Sequence, residues 1–256
     1  MLPRVLAEGN VFHPWRPLPL QLLSVLSIYQ ISYWRTRVKK IATFPDRHDA
    51  FASDPALWAI GLTARQLIPR MKSLLLAMLF DAPGLYLGQG SLVRGAKYMS
   101  FGRGVSAHSN LWLEAVPRYG DQRSHPVIEI GDDVSFADGV HISCVERIVI
   151  KRHALIGSRV YISDSSHGLY KGLHQSRPDE PPARRKLGIG GPVVIGENVW
   201  IGANVVIVGP VTIGDAAVIG ANSVIRRNVP PGTMVAGVPA VPVKEFRQAT
   251  ECWEIV

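Results

Sequence analysis

The chain has 256 residues, 47% of them hydrophobic and 19% charged, which excludes a disordered polypeptide and allows one large domain or a domain with an appendage. Its two cysteines, Cys144 and Cys252, exclude a disulfide framework and fit a reducing compartment. Residues 1–80 carry ten Lys/Arg against four Asp/Glu, so +6 of the formal +8 lies in the first third; with no nucleic-acid motif beside it, that charge suits an anionic lipid or glycan better than nucleic acid.

The first nineteen residues are broken by Pro3, Pro14, Pro17 and Pro19 and lack the charged-then-apolar order of a secretory signal. No apolar stretch reaches the roughly 20 residues that span a bilayer. A cytoplasmic protein is expected, soluble or peripheral at the inner membrane surface. Residues 1–84 read as a basic helical region. Leu22, Leu26, Tyr29 and Tyr33 fall loosely on one face, and Ser53-Asp54-Pro55 is a cap with proline at the first helical position. That second helix ends or kinks at Pro69, and a third short helix follows over 71–80. These helices either pack as an end cover or subunit contact, or lie on an anionic membrane surface.

From residue 85 the texture changes. Ile195, Ile201, Ile207, Ile213, Ile219 and Ile225 recur every six residues without slippage, and Ile130, Phe136, Ile142, Ile148, then Ile150, Ile156 and Ile162, repeat the pattern earlier. An α-helix would scatter every sixth residue around its axis, and a plain strand repeats every two. A period of six requires a short strand and a corner, with one aliphatic side chain per face stacked on its copy one coil along. Asn198, Asn204, Asp215 and Asn222 suit the corners. A parallel β-helix is therefore expected over 85–242, interrupted by a protruding charged, proline-rich loop over 168–192, with a short C-terminal helix or tail over 243–256. Cys144, inside the repeats, reads as a small buried residue.

Three segments carry a family resemblance: Ile162-Ser163-Asp164-Ser165-Ser166-His167-Gly168; Pro192 through Ala203, including Trp200; and Ile219 through Pro230, followed by Val235-Ala236-Gly237-Val238-Pro239. Over about residues 125–245 the chain resembles the hexapeptide-repeat acyltransferases. It is most similar there to the maltose/galactoside acetyltransferase-like group and its relatives that O-acetylate surface polysaccharides. The resemblance implies an all-β core folded as a left-handed parallel β-helix, a homotrimer with active sites made by two subunits, and direct acetyl transfer from acetyl-CoA to a sugar or glycan without a metal. It also implies His167 as general base.

That assignment agrees with the chemistry, since an alcohol attacking a thioester needs a group that titrates near neutrality. Asp164 either orients the imidazole or sits at a corner. The group's acceptor-binding asparagine falls within Ala137-Asp138-Gly139 and is missing, leaving Asp138 and His141 as substrate-binding candidates or corner residues. Gly202, Ala203, Gly220, Ala221 and Gly237 correspond to the positions where coenzyme A lies against the backbone. Arg226, Arg227 and Lys244 are phosphate partners or solvated cations. Trp200 is a wall of the ligand site or a subunit contact.

Two other classes fit the sequence less well. A zinc-dependent γ-type carbonic anhydrase needs three convergent histidines, and His141, His153, His167 and His174 do not have its spacing. A non-catalytic β-helix scaffold has no need of the His167 motif or the loop behind it.

Overall fold

The structure is a computed structural model that describes residues 68–256. The expected helices before residue 68, including the one placed at Ser53-Asp54-Pro55, lie outside the described residues.

Three parallel sheets form the faces of a left-handed β-helix. The first face stacks β1 (Tyr86–Leu87), β4 (Ser106–Ala107), β9 (Ser135–Phe136), β12 (Leu155–Ile156), β17 (Trp200–Ile201), β20 (Val218–Ile219) and β22 (Thr233–Gly237). The second stacks β2 (Leu92–Arg94), β5 (Trp112–Ala115), β10 (His141–Cys144), β13 (Tyr161–Ser163), β18 (Val206–Val208) and β21 (Val224–Ile225). The third stacks β3 (Met99–Phe101), β8 (Val127–Ile130), β11 (Arg147–Ile150), β16 (Val193–Ile195) and β19 (Val211–Ile213).

The six-residue period is visible directly in the register. Leu113, Ile142, Ile162, Ile207 and Ile225 are in register on the second face, and Phe136, Ile156, Ile201 and Ile219 on the first, all buried. Neighbouring coils are roughly 4.8 Å apart, so each inward side chain meets its counterparts above and below. The corners turn through left-handed backbone at Asn198 (φ 56°), Asn204 (φ 58°) and Asn222 (φ 60°), a conformation asparagine tolerates better than most residues. Asp215 works differently: its Oδ1 accepts the Glu197 N–H, and the left-handed residue is Ala216 beside it (φ 57°).

A helix over 68–79, with Pro69 inside it, covers the N-terminal end of the stack. Buried Ser73 accepts the Leu87 N–H at 2.8 Å, and Phe80 meets Phe101 edge-on at 4.7 Å.

The C-terminal end departs from expectation. No helix forms over 243–256; the chain makes β23 (Ala240–Arg247) and β24 (Cys252–Ile255), both antiparallel, with β23 paired to β22. The last parallel strand leaves an edge of unpaired backbone groups that β23 satisfies, and Phe246 and Trp253 pack edge-on across the new pair, 5.6 Å apart.

Candidate active site

The edge between the second and third faces carries two insertions. After β5 the chain leaves the coil over 116–126 as a small hairpin, β6 (Arg118–Tyr119) and β7 (Gln122–Arg123). After β13 it leaves again over 164–192, and this excursion starts as an antiparallel pair, β14 (Ser165–His167) with β15 (Leu187–Ile189). The two coils are neighbours but one along the same edge, so the insertions meet. Gln122 bonds Leu187 both ways, donating from Nε2 to its carbonyl (3.1 Å) and accepting its N–H at Oε1 (2.8 Å), as a strand neighbour would.

His167 stands at this junction. It is exposed, and its Nδ1 lies 3.2 Å from the Tyr119 hydroxyl, which also donates to the Ala183 carbonyl at 2.6 Å. The two rings meet edge-on at 5.4 Å. Behind the ring, Tyr170 donates its O–H to the His167 carbonyl (2.6 Å) and accepts from Arg185 (3.0 Å), whose other nitrogens bond the Glu180 and Pro178 carbonyls. The long charged loop is thus an ordered brace around the histidine.

Asp164 bonds backbone amides and not the imidazole. Its carboxylate is fully buried and accepts the backbone N–H groups of Val145, Glu146 and Arg147 at 2.8–2.9 Å, and none of its hydrogen bonds goes to His167. The reason is topological: Asp164 begins the excursion directly above the tight corner after β10, where the chain reverses without enough residues to satisfy its own amides. Cys144 lies beside it, buried, 3.4 Å from Oδ2. Burial first, and the Asp164 charge second, push the Cys144 thiol far above its ordinary range, so it stays protonated and is no nucleophile.

The other sequence candidates fall elsewhere. Arg226 and Arg227 are exposed on the same second–third edge as His167, two coils further along, at the mouth of a 170 Å³ crevice lined also by Val224, Pro239 and Val241. Asp138 is at the first–second edge, where it accepts the Ser109 N–H as a corner cap. Gly202, Ala203, Gly220 and Ala221 share that first–second edge. There the glycines answer to stacking: a Cβ on Gly202 would come within 2.6 Å of the Ala221 nitrogen, and one on Gly220 within 2.9 Å of the Ala236 Cβ. Trp200, 53% exposed, stands outward on the first face in register with Leu155 and Val218. Lys244 is on β23, and Gly237 ends β22 with φ 102°. A single chain therefore does not bring the first–second edge residues to His167.

His141 is a packed histidine. Its ring is stacked on Trp112 (4.3 Å, 12°) and edge-on to Tyr161 (5.2 Å), and its Nε2 is buried without a partner among the described residues. Burial lowers its pKa below the ordinary 6.5, and the nearby Glu114 charge offsets this only in part. The sign follows by linkage. Below about pH 6.5 the unfolded chain takes up a proton here that the folded chain resists, so stability falls as pH drops, while above that pH the group contributes no slope. His141→Phe keeps the stacking and removes the proton site. Its melting temperature is expected to fall less than the parent's between pH 7 and 5, and equal falls in thermal denaturation would refute this.

The sequence marks the segment around Tyr119 but not the residue: the six-residue period breaks between Leu113 and Ile128, as it does after Ile162.

Comparison with known proteins agrees with this architecture. The family model for bacterial transferase hexapeptide (six repeats) matches residues 192–227. A protein of Escherichia coli (strain K12) with the provisional name lipopolysaccharide biosynthesis O-acetyl transferase WbbJ is 38% identical over 163 residues, 63% of this chain and 79% of that protein. Nodulation protein L of Rhizobium meliloti (strain 1021) is 44% identical over 97 residues, 38% of this chain and 48% of that one. Among solved structures, a mutant of AntD, an N-acyltransferase from Bacillus cereus in complex with dTDP-4-amino-4,6-dideoxyglucose and coenzyme A, shares the fold. Its TM-score is 0.53 at 19% identity, covering 70% of this chain and 91% of that one. With parallel strands stacked in register from Tyr86 to Val235 on a six-residue repeat, and this extent of identity to the Escherichia coli protein, the chain belongs to the hexapeptide-repeat acetyltransferases.

Proposed function

We propose that the protein transfers an acetyl group from acetyl-CoA directly to a hydroxyl of a sugar, within a lipopolysaccharide or polysaccharide precursor, with His167 as general base. The observation that carries this is the placement of His167: an exposed imidazole, held at Nδ1 and at its own carbonyl, at the junction of two ordered insertions. The base takes the hydroxyl proton as the oxygen attacks the thioester carbonyl. The tetrahedral intermediate collapses, the C–S bond breaks, and the same proton passes to the leaving sulfur, giving ester and free thiol. No acyl-enzyme is needed, and the protonated Cys144 offers no competing nucleophile.

The second–third edge suits the donor. Arg226 and Arg227 lie two coils from the base coil, roughly 10 Å along the stack, and would meet the phosphates of the nucleotide end. The first–second edge, with Asp138, Ala203 and Ala221, would close the site from a neighbouring copy in a homotrimer. The exposed first-face side chains Leu155 and Trp200 favour packing against such a copy. A monomer with full activity in analytical ultracentrifugation and assay would defeat the shared site. The acceptor class is supported by the name of the Escherichia coli relative. The test is thiol release from acetyl-CoA over a panel of glycan acceptors, and no release with any of them would defeat the reading.

Contact with the cytoplasmic face of a membrane fits the helix over 68–79. No helix among the described residues is long and apolar enough to cross a membrane. This helix instead turns Ile68, Met71, Leu74, Leu75, Met78 and Leu79 outward, each 64–75% exposed, with Arg70 and Lys72 at the two borders of that apolar stripe. Leu75→Glu with Met78→Glu is expected to abolish co-sedimentation with phosphatidylserine vesicles; unchanged binding would remove the helix from membrane contact.

A further inference from the structure

We propose that Tyr119 is a positioning residue that fixes the tautomer of His167, and so makes Nε2 the reacting nitrogen. This rests on the reading of His167 as base. The argument is a count of protons. A tyrosine hydroxyl has one hydrogen to donate. At Tyr119 that hydrogen goes to the Ala183 backbone carbonyl, an oxygen that can only accept, over 2.6 Å. The contact with His167 Nδ1 at 3.2 Å is then a hydrogen bond only if Nδ1 is the donor and the phenolic oxygen accepts. A neutral imidazole carries one N–H, so placing it on Nδ1 leaves Nε2 bare, with a lone pair for an acceptor hydroxyl. Free histidine in water favours the opposite tautomer, so an unassisted His167 would spend most of its neutral population unable to act through Nε2.

The arrangement suits both halves of the reaction. When Nε2 takes a proton, Nδ1 keeps its own, and the bond to Tyr119 persists through the imidazolium. Tyr119 also belongs to a different coil from His167, 48 residues earlier in the chain, and reaches it because the two insertions leave the same edge. Its carbonyl partner Ala183 sits in the long loop, so the tautomer is set by the Tyr119 hydroxyl and its one carbonyl acceptor. Gln122 joins that loop to the 116–126 hairpin independently of Tyr119, through its two bonds to the Leu187 backbone.

The experiment compares the full-length parent with Tyr119→Phe, which keeps the ring packed on His167 and removes only the hydroxyl, and with Gln122→Ala, which loosens the junction and keeps the hydroxyl. The ¹⁵N spectrum of histidine-labelled protein, assigned with His167→Ala, reads the tautomer. The kcat, the KM for acetyl-CoA and the pH profile are measured in parallel. The parent is expected to show a proton-bearing Nδ1 and a bare Nε2 once neutral. Tyr119→Phe is expected to move His167 toward the Nε2–H form and lower kcat between about tenfold and a hundredfold, with KM within about twofold and the pH profile altered. Gln122→Ala is expected to lower the melting temperature and leave the tautomer in place. A parent already in the Nε2–H form, an unchanged tautomer or kcat in Tyr119→Phe, or an equal tautomer shift in Gln122→Ala would each overturn the proposal. Loss of turnover in His167→Ala with normal turnover in Tyr119→Phe rejects this inference alone, whereas normal turnover in His167→Ala rejects the base itself.

Discussion

Replacing His167 with alanine is expected to slow acetyl transfer by about 10²–10⁴-fold, the span that a positioned general base contributes, with the melting temperature close to the parent's. Both halves follow from the geometry. The side chain is exposed and its ring makes one hydrogen bond among the described residues, to Tyr119, so little folding energy resides in it. The pairing of β14 with β15 runs through the backbone, which alanine retains. The chemical cost is large because among the described residues neither neighbour stands in for the imidazole: Asp164 is saturated by backbone amides and Cys144 is held protonated. KM for acetyl-CoA should change little, since the residues expected to meet the nucleotide are two coils away. Thiol release with the best acceptor of the panel, measured as kcat and KM for parent and variant, checks this. Turnover within threefold of the parent would take His167 out of the mechanism.

The fold was legible because its energetics are one-dimensional. Each coil buries its aliphatic side chains against the next, so Ile201, Ile207 and Ile213 announce the architecture without any knowledge of distant contacts. His167 was legible through the residues around it. What escaped was whatever depends on which coils share an edge. Tyr119 and Gln122 reach the site by coil stacking, and nothing next to them in sequence marks them as partners of a loop beginning more than forty residues later. At Gly202 and Gly220 the next coil comes too close for a side chain, a contact that only the stacked structure displays. The C-terminal strands were hidden for a similar reason: whether 243–256 coils or extends is decided by the open edge of β22, not by local propensity.

Replacement of the buried Asp164 by alanine is expected to destabilise the fold by about 3 kcal/mol. The magnitude comes from three amide donors losing a charged acceptor at once, each stranded donor costing roughly 1–3 kcal/mol, reduced because Glu146 and Arg147 lie where water can replace part of the loss. For a domain of this size that corresponds to a fall in melting temperature of roughly 6–12 °C. Asp164→Asn should lose less, since one carbonyl oxygen remains to accept while the amide nitrogen opposes a donor. The pair of variants separates two roles. A residue that oriented the imidazole would, as asparagine, depress kcat and leave stability alone. A residue that holds the corner after β10 and anchors the start of the 164–192 excursion does the reverse: stability falls, and kcat per folded molecule, measured well below the transition, falls far less than in His167→Ala. The anchoring extends through the backbone, because the Gly190 N–H returns to the Asp164 carbonyl at 2.8 Å and closes the neck of the loop. Thermal unfolding of Asp164→Ala within 2 °C of the parent would show that the corner holds without its carboxylate.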